Sequence, residues 1–262
     1  MIDCLIVTST SLRHKYFALK ILKAIPNSRV IFEHRDRINY YKVEYVGLLK
    51  THFDNLFVTE ENYFKEIVEK ENYFIKSKTI KYIDKGDLNS DNFYSVLKEF
   101  EPKCIALYSV SIIRDKLIST YSNRLFNVHA GLSPYYRGTA TNIWPIINNE
   151  PEYIGMTIHH VNHGIDSGGL IIQGRPELEV NDNTHTMACK NTSLAADLMI
   201  KCIQKYCINE ELPNVQQDLS KGKQYYFKDF NINTVKQLNK LLNDGIIRDY
   251  IEKQKKIKYL EW

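Results

Sequence analysis

The sequence contains few cysteines, no long apolar run and little excess charge, and each shortage excludes a class of protein. The five cysteines are scattered, with no C-x-x-C pair, which argues against a disulfide scaffold or a zinc site and favours reduced thiols in a reducing compartment. The longest strongly apolar run starts at Cys104 and is about half the length that spans a bilayer. The N-terminus has an acid, Asp3, where a signal peptide needs basic residues. We therefore expect a cytoplasmic protein without membrane contact.

The charge balance is nearly neutral for this length. Lys and Arg number 35 and Asp and Glu number 31, so the net charge is +4. That bias can help to attract a phosphorylated substrate but is far from the basic stripe of a nucleic-acid binder. No G-x-G-x-x-G or P-loop pattern follows the first predicted strand, which argues against a dinucleotide cofactor or a P-loop nucleotide. We expect a small-molecule substrate and no nucleic-acid partner.

The first half of the chain alternates short apolar runs with amphipathic stretches, a pattern typical of a parallel α/β sheet. Residues 35–71 have helical stretches with weak periodicity and form a helical excursion of undefined shape. No internal repeat is visible. The predicted strands cover residues 2–7, 28–32, 103–108, 125–129, 154–160 and 170–173. The first predicted helix contains residues 16–25, and the others cover 92–100, 139–147, 184–206, 235–242 and 246–253.

A domain boundary is expected near residue 207. Residues 1–207 contain the predicted sheet. Residues 208–262 have ten Lys or Arg, eight Asp or Glu and too few apolar residues to form a strong core of their own. The extension is therefore expected to pack on the first part or on a second copy of the chain.

The first informative motif is FNVHAGLSPYYRG, from Phe126. Alternate side chains of a strand share a face, so Asn127 and His129 are presented together, at the carboxyl end where open α/β sheets bind ligands. A capped strand end, with Asn127 bonded to loop backbone and His129 satisfied in the core, explains the fragment equally well.

The second motif is HHVNHGIDSGGL, from His159. Its glycines permit sharp turns and hold Asp166 at a bend, where a carboxylate can face a pocket. A turn aspartate that bonds its own backbone is the simpler alternative. His159, His160 and His163 lie close together, but no Cys or carboxylate completes a ligand set around them, so no metal site is predicted.

In this order and spacing, the two motifs resemble the folate-dependent formyltransferase family. The family pattern is Asn-x-His, a Leu-Pro-x-x-Arg-Gly-like loop and an Asp in a Gly-x-Asp-x-Gly turn, matched here by Asn127, His129, residues 132–138 and Asp166. The likeness covers roughly residues 100–175 and departs from many members at 131–134, Gly-Leu-Ser-Pro in place of Ser-Leu-Leu-Pro. It implies a Rossmann-like formyltransferase domain at 1–207, with a short C-terminal extension that dimerises the chain.

The resemblance also implies a chemistry and a site. The formyl donor would be 10-formyltetrahydrofolate, used without a metal, and the acceptor an amine. Asn127 and His129 would offer N–H groups to the oxyanion that forms, and Asp166 would orient His129 and accept a proton. The folate would contact Tyr108, Ser111, Ile112, Ile113, Val161, Asn162, Gly164 and Asp166, and the acceptor would contact Ser133, Tyr135, Tyr136 and Arg137.

The acceptor is best matched by a nucleotide-linked amino sugar, as in the sugar N-formyltransferases, which have a short and varied C-terminal part. Methionine on tRNA would require a basic appendage, and glycinamide ribonucleotide formyltransferases are shorter than this chain. An amino-acid-derived amine, hydrolysis of the formyl donor and an inactive folate-binding protein remain open alternatives.

Overall fold

Nine strands form two sheets in the computed structural model, which describes residues 1–34, 47–253 and 257–261. In chain order they are β1 (Ile2–Ser9), β2 (Ser28–Glu33), β3 (Thr79–Ile83), β4 (Pro102–Tyr108), β5 (Leu125–Ala130), β6 (Tyr136–Gly138), β7 (Met156–His160), β8 (Leu170–Gly174) and β9 (Lys223–Tyr225). The large sheet has the order β3-β2-β1-β4-β5-β7-β8, and β6 pairs with β9.

The large sheet is mostly parallel, which confirms the predicted α/β class. The first five strands in its order run parallel, whereas β7 is antiparallel to both β5 and β8. Helices cover both faces, so the central strands are mostly apolar, as the sequence pattern predicted. The edge strand β3 was not predicted, because its exposed positions weaken the apolar run.

Helices pack on both faces of the large sheet. The described helices are α1 (Leu12–Ala24), α2 (Leu48–Lys70), α3 (Asn72–Lys78), α4 (Asp91–Phe100), α5 (Asp115–Thr120), α6 (Trp144–Ile147), α7 (Thr184–Cys207), α8 (Ile232–Asn243) and α9 (Ile246–Lys253). One layer packs α1, α2, α3 and α7 on one face of the sheet, and the other packs α4 and α5 on the opposite face. No described helix is both long and apolar enough to cross a membrane.

Two predicted helical segments differ from the structure. The excursion at 35–71 contains α2, and residues 35–46 lie outside the described residues. The helix predicted at 139–147 was wrong for its first half, since α6 begins only at Trp144. There Ala140 has a positive φ of 57°, and the N–H of Thr139 donates to the carbonyl of Tyr225 at 2.9 Å. Residues 139 and 140 therefore form a turn in place of the first helical residues.

The C-terminal extension packs on the first part of the same chain. Helix α7 ends at Cys207, and β9 then pairs in parallel with β6. Val235 and Leu238 of α8 lie in one apolar cluster with Trp144 and Ile154. Whether the extension also dimerises the chain stays a prediction.

Candidate active site

Two neighbouring strands place polar side chains together at one face of the large sheet. Asn127 and His129 alternate with Phe126 and Val128 in β5 and therefore share a face. In the antiparallel strand β7, the residue opposite Asn127 is His159. Asn127 Nδ2 lies 3.0 Å from His159 Nε2, so a cross-strand contact joins the two strands at this point.

A tight turn after β7 brings Asp166 to the same place. Its Oδ2 atom lies 3.2 Å from Nδ1 of His129, and its Oδ1 atom lies 3.6 Å from Nε2 of His159. The backbone N–H of Gly138 donates to Oδ2 at 3.1 Å, and Gln217 of the extension donates to the carbonyl of Asp166 at 3.0 Å. The carboxylate thus faces the strand residues and is fixed by two further segments.

The hydrogen bonds define a charged pair. His129 Nε2 lies 2.7 Å from the carbonyl oxygen of Tyr136, which can only accept, so Nε2 carries a proton and Nδ1 faces the carboxylate. Burial lowers the pKa of His129, but the Asp166 charge and the hydrogen bonds raise it above its ordinary value. Burial raises the pKa of Asp166, yet the charge and hydrogen bond of His129 lower it well below its usual range. The geometry favours an imidazolium beside a carboxylate.

His159 is a residue of this site that sequence reasoning missed. Its Nδ1 atom lies 2.7 Å from the carbonyl oxygen of His160 and therefore carries the proton, which leaves Nε2 to accept from the Asn127 amide. This contact directs the amide nitrogen of Asn127 and leaves its second N–H available. The sequence interpretation considered His159 only as a metal ligand, because the antiparallel pairing that sets it opposite Asn127 is visible only in the structure.

We expect His159→Phe to lower kcat about tenfold, because the Asn127 amide loses the acceptor that orients it. His159→Gln, which restores an acceptor oxygen, should recover part of the loss, a result that a purely structural role would not produce. His160→Phe, on the opposite face of β7, is the matched control and should stay within about twofold of the wild type. Steady-state kinetics measures the rates of these variants, and thermal unfolding checks that each is folded. Equal rates in wild type and His159→Phe would contradict the proposed role of His159 in orienting Asn127.

The cluster opens into a cavity of about 520 Å³. Asn127, His129 and Asp166 all line it, with the N-terminal ends of α1 and α7 and one side of α2 as further walls. Phe227 and Phe230 of the extension complete the lining. The cavity is therefore built by both parts of the chain.

The residues predicted to contact folate fall into two groups. Tyr108 and Asp166 line the cavity, whereas the others belong to two loops, at 109–114 and 161–166, that reach the cavity only at Ser109, Val110 and Asp166. These loops are neighbours, because Ile113 and Val161 pack on one apolar cluster and His163 pairs with Asp115 at 2.9 Å. The members outside the cavity lining are Ser111, Ile112, Ile113, Val161, Asn162 and Gly164.

Side chains from outside the site hold the first of these loops. Glu33, buried at the end of β2, accepts from the backbone N–H of Ser111 at 2.8 Å. Asn89 donates to the carbonyl of Ile112 at 3.0 Å and accepts from the N–H of Arg114 at 2.9 Å. The Ser111 hydroxyl is buried and has no hydrogen-bond partner among the described residues. The loop is thus fixed in place and retains an unused polar group.

The four residues predicted to contact the acceptor lie outside the cavity lining, because the loop turns back to form β6. The Ser133 backbone N–H donates to Thr157 at 3.1 Å, and the Tyr136 hydroxyl donates to Glu150. Arg137 donates to the carbonyl of Pro134 at 3.3 Å, and the Tyr135 ring lies on Tyr153. These contacts hold the loop, three through the side chains of Tyr135, Tyr136 and Arg137 and one through the Ser133 backbone. The segment just after the loop, residues 138–143, lines the cavity.

The fold agrees with the α/β formyltransferase fold that the resemblance implies. The sequence profile of the formyl transferase family matches residues 54–203, more than half of the chain, and the chain belongs to that family.

Curated methionyl-tRNA formyltransferases are similar to this chain in sequence. The chain is 30% identical over 131 residues to methionyl-tRNA formyltransferase from Caldanaerobacter subterraneus subsp. tengcongensis, a match that covers 50% of this chain and 42% of the relative. The chain thus spans about two fifths of the length of the curated relatives it matches.

Solved structures share the fold. A 4-N formyltransferase from Francisella tularensis superposes with a TM-score of 0.57 at 21% identity, over 87% of this chain and 77% of that one. The N-formyltransferase from Helicobacter canadensis, solved in complex with folinic acid and dTDP-3-aminofucose, gives a TM-score of 0.54 at 25% identity, over 89% of this chain and 74% of that one.

Proposed function

We propose that the protein transfers the formyl group of 10-formyltetrahydrofolate to the primary amine of a nucleotide-linked amino sugar. The observation that carries the proposal is the convergence of Asn127, His129 and Asp166 on one cavity, in a chain of the formyl transferase family. Formyl transfer requires donors for a developing negative charge and a group that moves protons, and these three side chains supply both.

The reaction forms a bond between the acceptor nitrogen and the formyl carbon and breaks the bond from that carbon to a folate nitrogen. Asn127 directs one amide N–H at His159 and has a second for the formyl oxygen, where negative charge develops. His129 donates a hydrogen bond from its Nε2–H to the Tyr136 carbonyl, so its contribution is the positive charge of the imidazolium. Asp166 accepts the proton that the acceptor ammonium loses, directly or through water, and a proton returns to the folate nitrogen.

The residues predicted to bind folate fit a pterin ring. Such a ring is flat and presents several hydrogen-bonding groups, and the loop at 109–114 provides a buried, unpartnered Ser111 hydroxyl on a backbone fixed by Glu33 and Asn89. Val161, Asn162 and Gly164 in the second loop, together with Tyr108, would complete the contacts. Bound there, the folate would supply the activated formyl group.

The amino-sugar acceptor is supported by the similarity to the Helicobacter canadensis enzyme, whose structure holds dTDP-3-aminofucose. The second candidate is methionine on tRNA, because the curated relatives are methionyl-tRNA formyltransferases. The extension, with ten basic and eight acidic residues, supplies little charge for tRNA. The amino sugar is therefore the better supported acceptor.

The test uses purified protein, 10-formyltetrahydrofolate and a panel of nucleotide-linked amino sugars, with methionyl-tRNA as the competing acceptor. We expect tetrahydrofolate release that depends on an amino sugar, with formation of the formamide detected by mass spectrometry. Release without any acceptor would indicate a hydrolase and contradict the proposal. Turnover with methionyl-tRNA alone would establish the second candidate.

A further inference from the structure

The cavity has an aromatic wall that no part of the formyl-transfer chemistry uses. We define this aromatic wall as His52, Phe53 and Phe57 of α2, His185 of α7 and Phe230 of the extension, all of which line the cavity. Ring centroids lie 4.5 Å apart for His52 and His185, 5.4 Å for His52 and Phe230, and 5.9 Å for Phe53 and Phe230. Four of these rings thus form a continuous contact surface from three separate segments, and Phe57 lines the same cavity.

The two histidines of the aromatic wall are uncharged at neutral pH. Burial lowers the pKa of His52 to about 4, and burial together with the charge of His52 lowers the pKa of His185 to about 3. Two charged side chains that line the cavity, Arg13 of α1 and Glu60 of α2, pair with each other at 3.0 Å. A phosphate against the wall would lose hydration without meeting an opposite charge, so the wall disfavours an anion.

A neutral imidazole retains one N–H donor and one acceptor nitrogen, and nucleobase edges present both kinds of group. Flat aromatic faces beside these atoms suit a planar ring, since stacking of a base on an aromatic side chain contributes about 1–3 kcal/mol. The pterin of the formyl donor is also a flat ring with polar edges, but the loop residues proposed to hold it, 111–113 and 161–164, do not line the cavity that the aromatic wall faces. The chemistry of the wall therefore matches a nucleobase.

We propose that the aromatic wall binds the nucleobase of the acceptor, so that α2 and Phe230 of the C-terminal extension determine which nucleotide-linked substrate enters. This inference rests on the proposed function and deepens it. It assigns the extension a part in substrate selection, in a position that Ser133, Tyr135, Tyr136 and Arg137 do not reach.

The test measures binding by calorimetry, without turnover. The probes are UDP, dTDP, CDP and GDP, with inorganic pyrophosphate as the probe that lacks a base. We expect at least one nucleoside diphosphate to bind more tightly than pyrophosphate, and Phe230→Leu and His52→Ala to weaken that binding about tenfold while pyrophosphate binding stays within about twofold. His52→Phe, which keeps a ring and removes the polar nitrogens, should reduce the discrimination among bases.

Two matched controls come from the same segments. Asn55→Ala on α2 and Ile232→Ala just after Phe230 change exposed residues that do not line the cavity, and both should bind like wild type. Unchanged nucleoside diphosphate binding in the folded Phe230→Leu and His52→Ala variants would overturn the inference, as would binding no tighter than that of pyrophosphate. Tight base-dependent binding without formyl transfer to any amino sugar would instead count against the proposed function, so the two failures are distinguishable.

Discussion

Asp166→Asn is expected to lower turnover by more than about a hundredfold, with the fold retained. The substitution preserves the shape of the side chain and removes the negative charge that faces His129 at 3.2 Å. Two effects then combine, because the site loses its proton acceptor and the imidazole loses the charge that keeps it protonated. Single-turnover kinetics with saturating folate would separate this chemical defect from weaker binding.

The same variant makes a spectroscopic prediction for His129. In the wild type the pKa of His129 lies above its ordinary value, although burial alone would lower it. Without the carboxylate, burial dominates, so in Asp166→Asn the pKa should fall below about 6.5. NMR titration of the imidazole measures the change, and Asp218→Asn, which alters an exposed carboxylate of the extension, is the matched control.

The charged pair also sets a pH window for stability. Both groups are charged between the lowered pKa of Asp166 and the raised pKa of His129, so their contribution is lost as pH falls through the first or rises through the second. In Asp166→Asn the free energy of unfolding should no longer fall as pH rises through the raised pKa of His129. Below about pH 6.5 it should fall on acidification, because the buried imidazole without its carboxylate resists protonation in the folded state. An unchanged profile would show that the pair is not charged in the folded protein.

Asn127→Ala and His129→Ala should each lower turnover by a comparable factor of more than about a hundred. The first removes the neutral donor and the second removes the positive charge, and the loss of one such group typically costs about 10²–10³ in rate. Turnover near the wild-type value in any of the three variants would contradict the assignment of these residues.

The general architecture could be predicted because it depends on local patterns. Apolar runs of the length of β1 and β4 form buried strands, and the polar pair Asn127 and His129 stands out within β5 because interior strands are otherwise apolar. The site's third member, Asp166, joined them through the family resemblance, since spacing along the chain does not show that a turn returns to β5.

Long-range pairings were beyond the sequence pattern. Strands β6 and β9 have three residues each, too few for a periodic signal, and they are separated by the whole of β7, β8 and α7. The inward position of Phe230 depends on that pairing, as does the second hydrogen bond of Asp166, through Gly138. The prediction that Tyr135 contacts the acceptor had no information on where the loop returns.

Gly138→Ala is expected to destabilise the protein strongly and to impair catalysis, because Gly138 joins the extension to the site. Its φ is +92°, and an added Cβ would lie 2.2 Å from the carbonyl oxygen of Tyr225 in β9, a backbone atom that cannot move without opening the β6–β9 pair. Its N–H also donates to Asp166, so displacement of this residue would shift the carboxylate.

Gly86→Ala separates the two causes of this effect. Gly86 has a nearly equal φ of +97°, but a Cβ there meets nothing within 4 Å, so its substitution introduces backbone strain of about 1–2 kcal/mol without a clash. The free energy of unfolding of Gly138→Ala should lie below that of Gly86→Ala by about 1–3 kcal/mol, the usual cost of overpacking. Turnover should fall more than tenfold only in Gly138→Ala, roughly as expected for a displaced catalytic group. Equal losses of stability in the two variants would mean that the β6–β9 pair yields readily, and the extension would then be a loosely attached element that does not hold Asp166 in place.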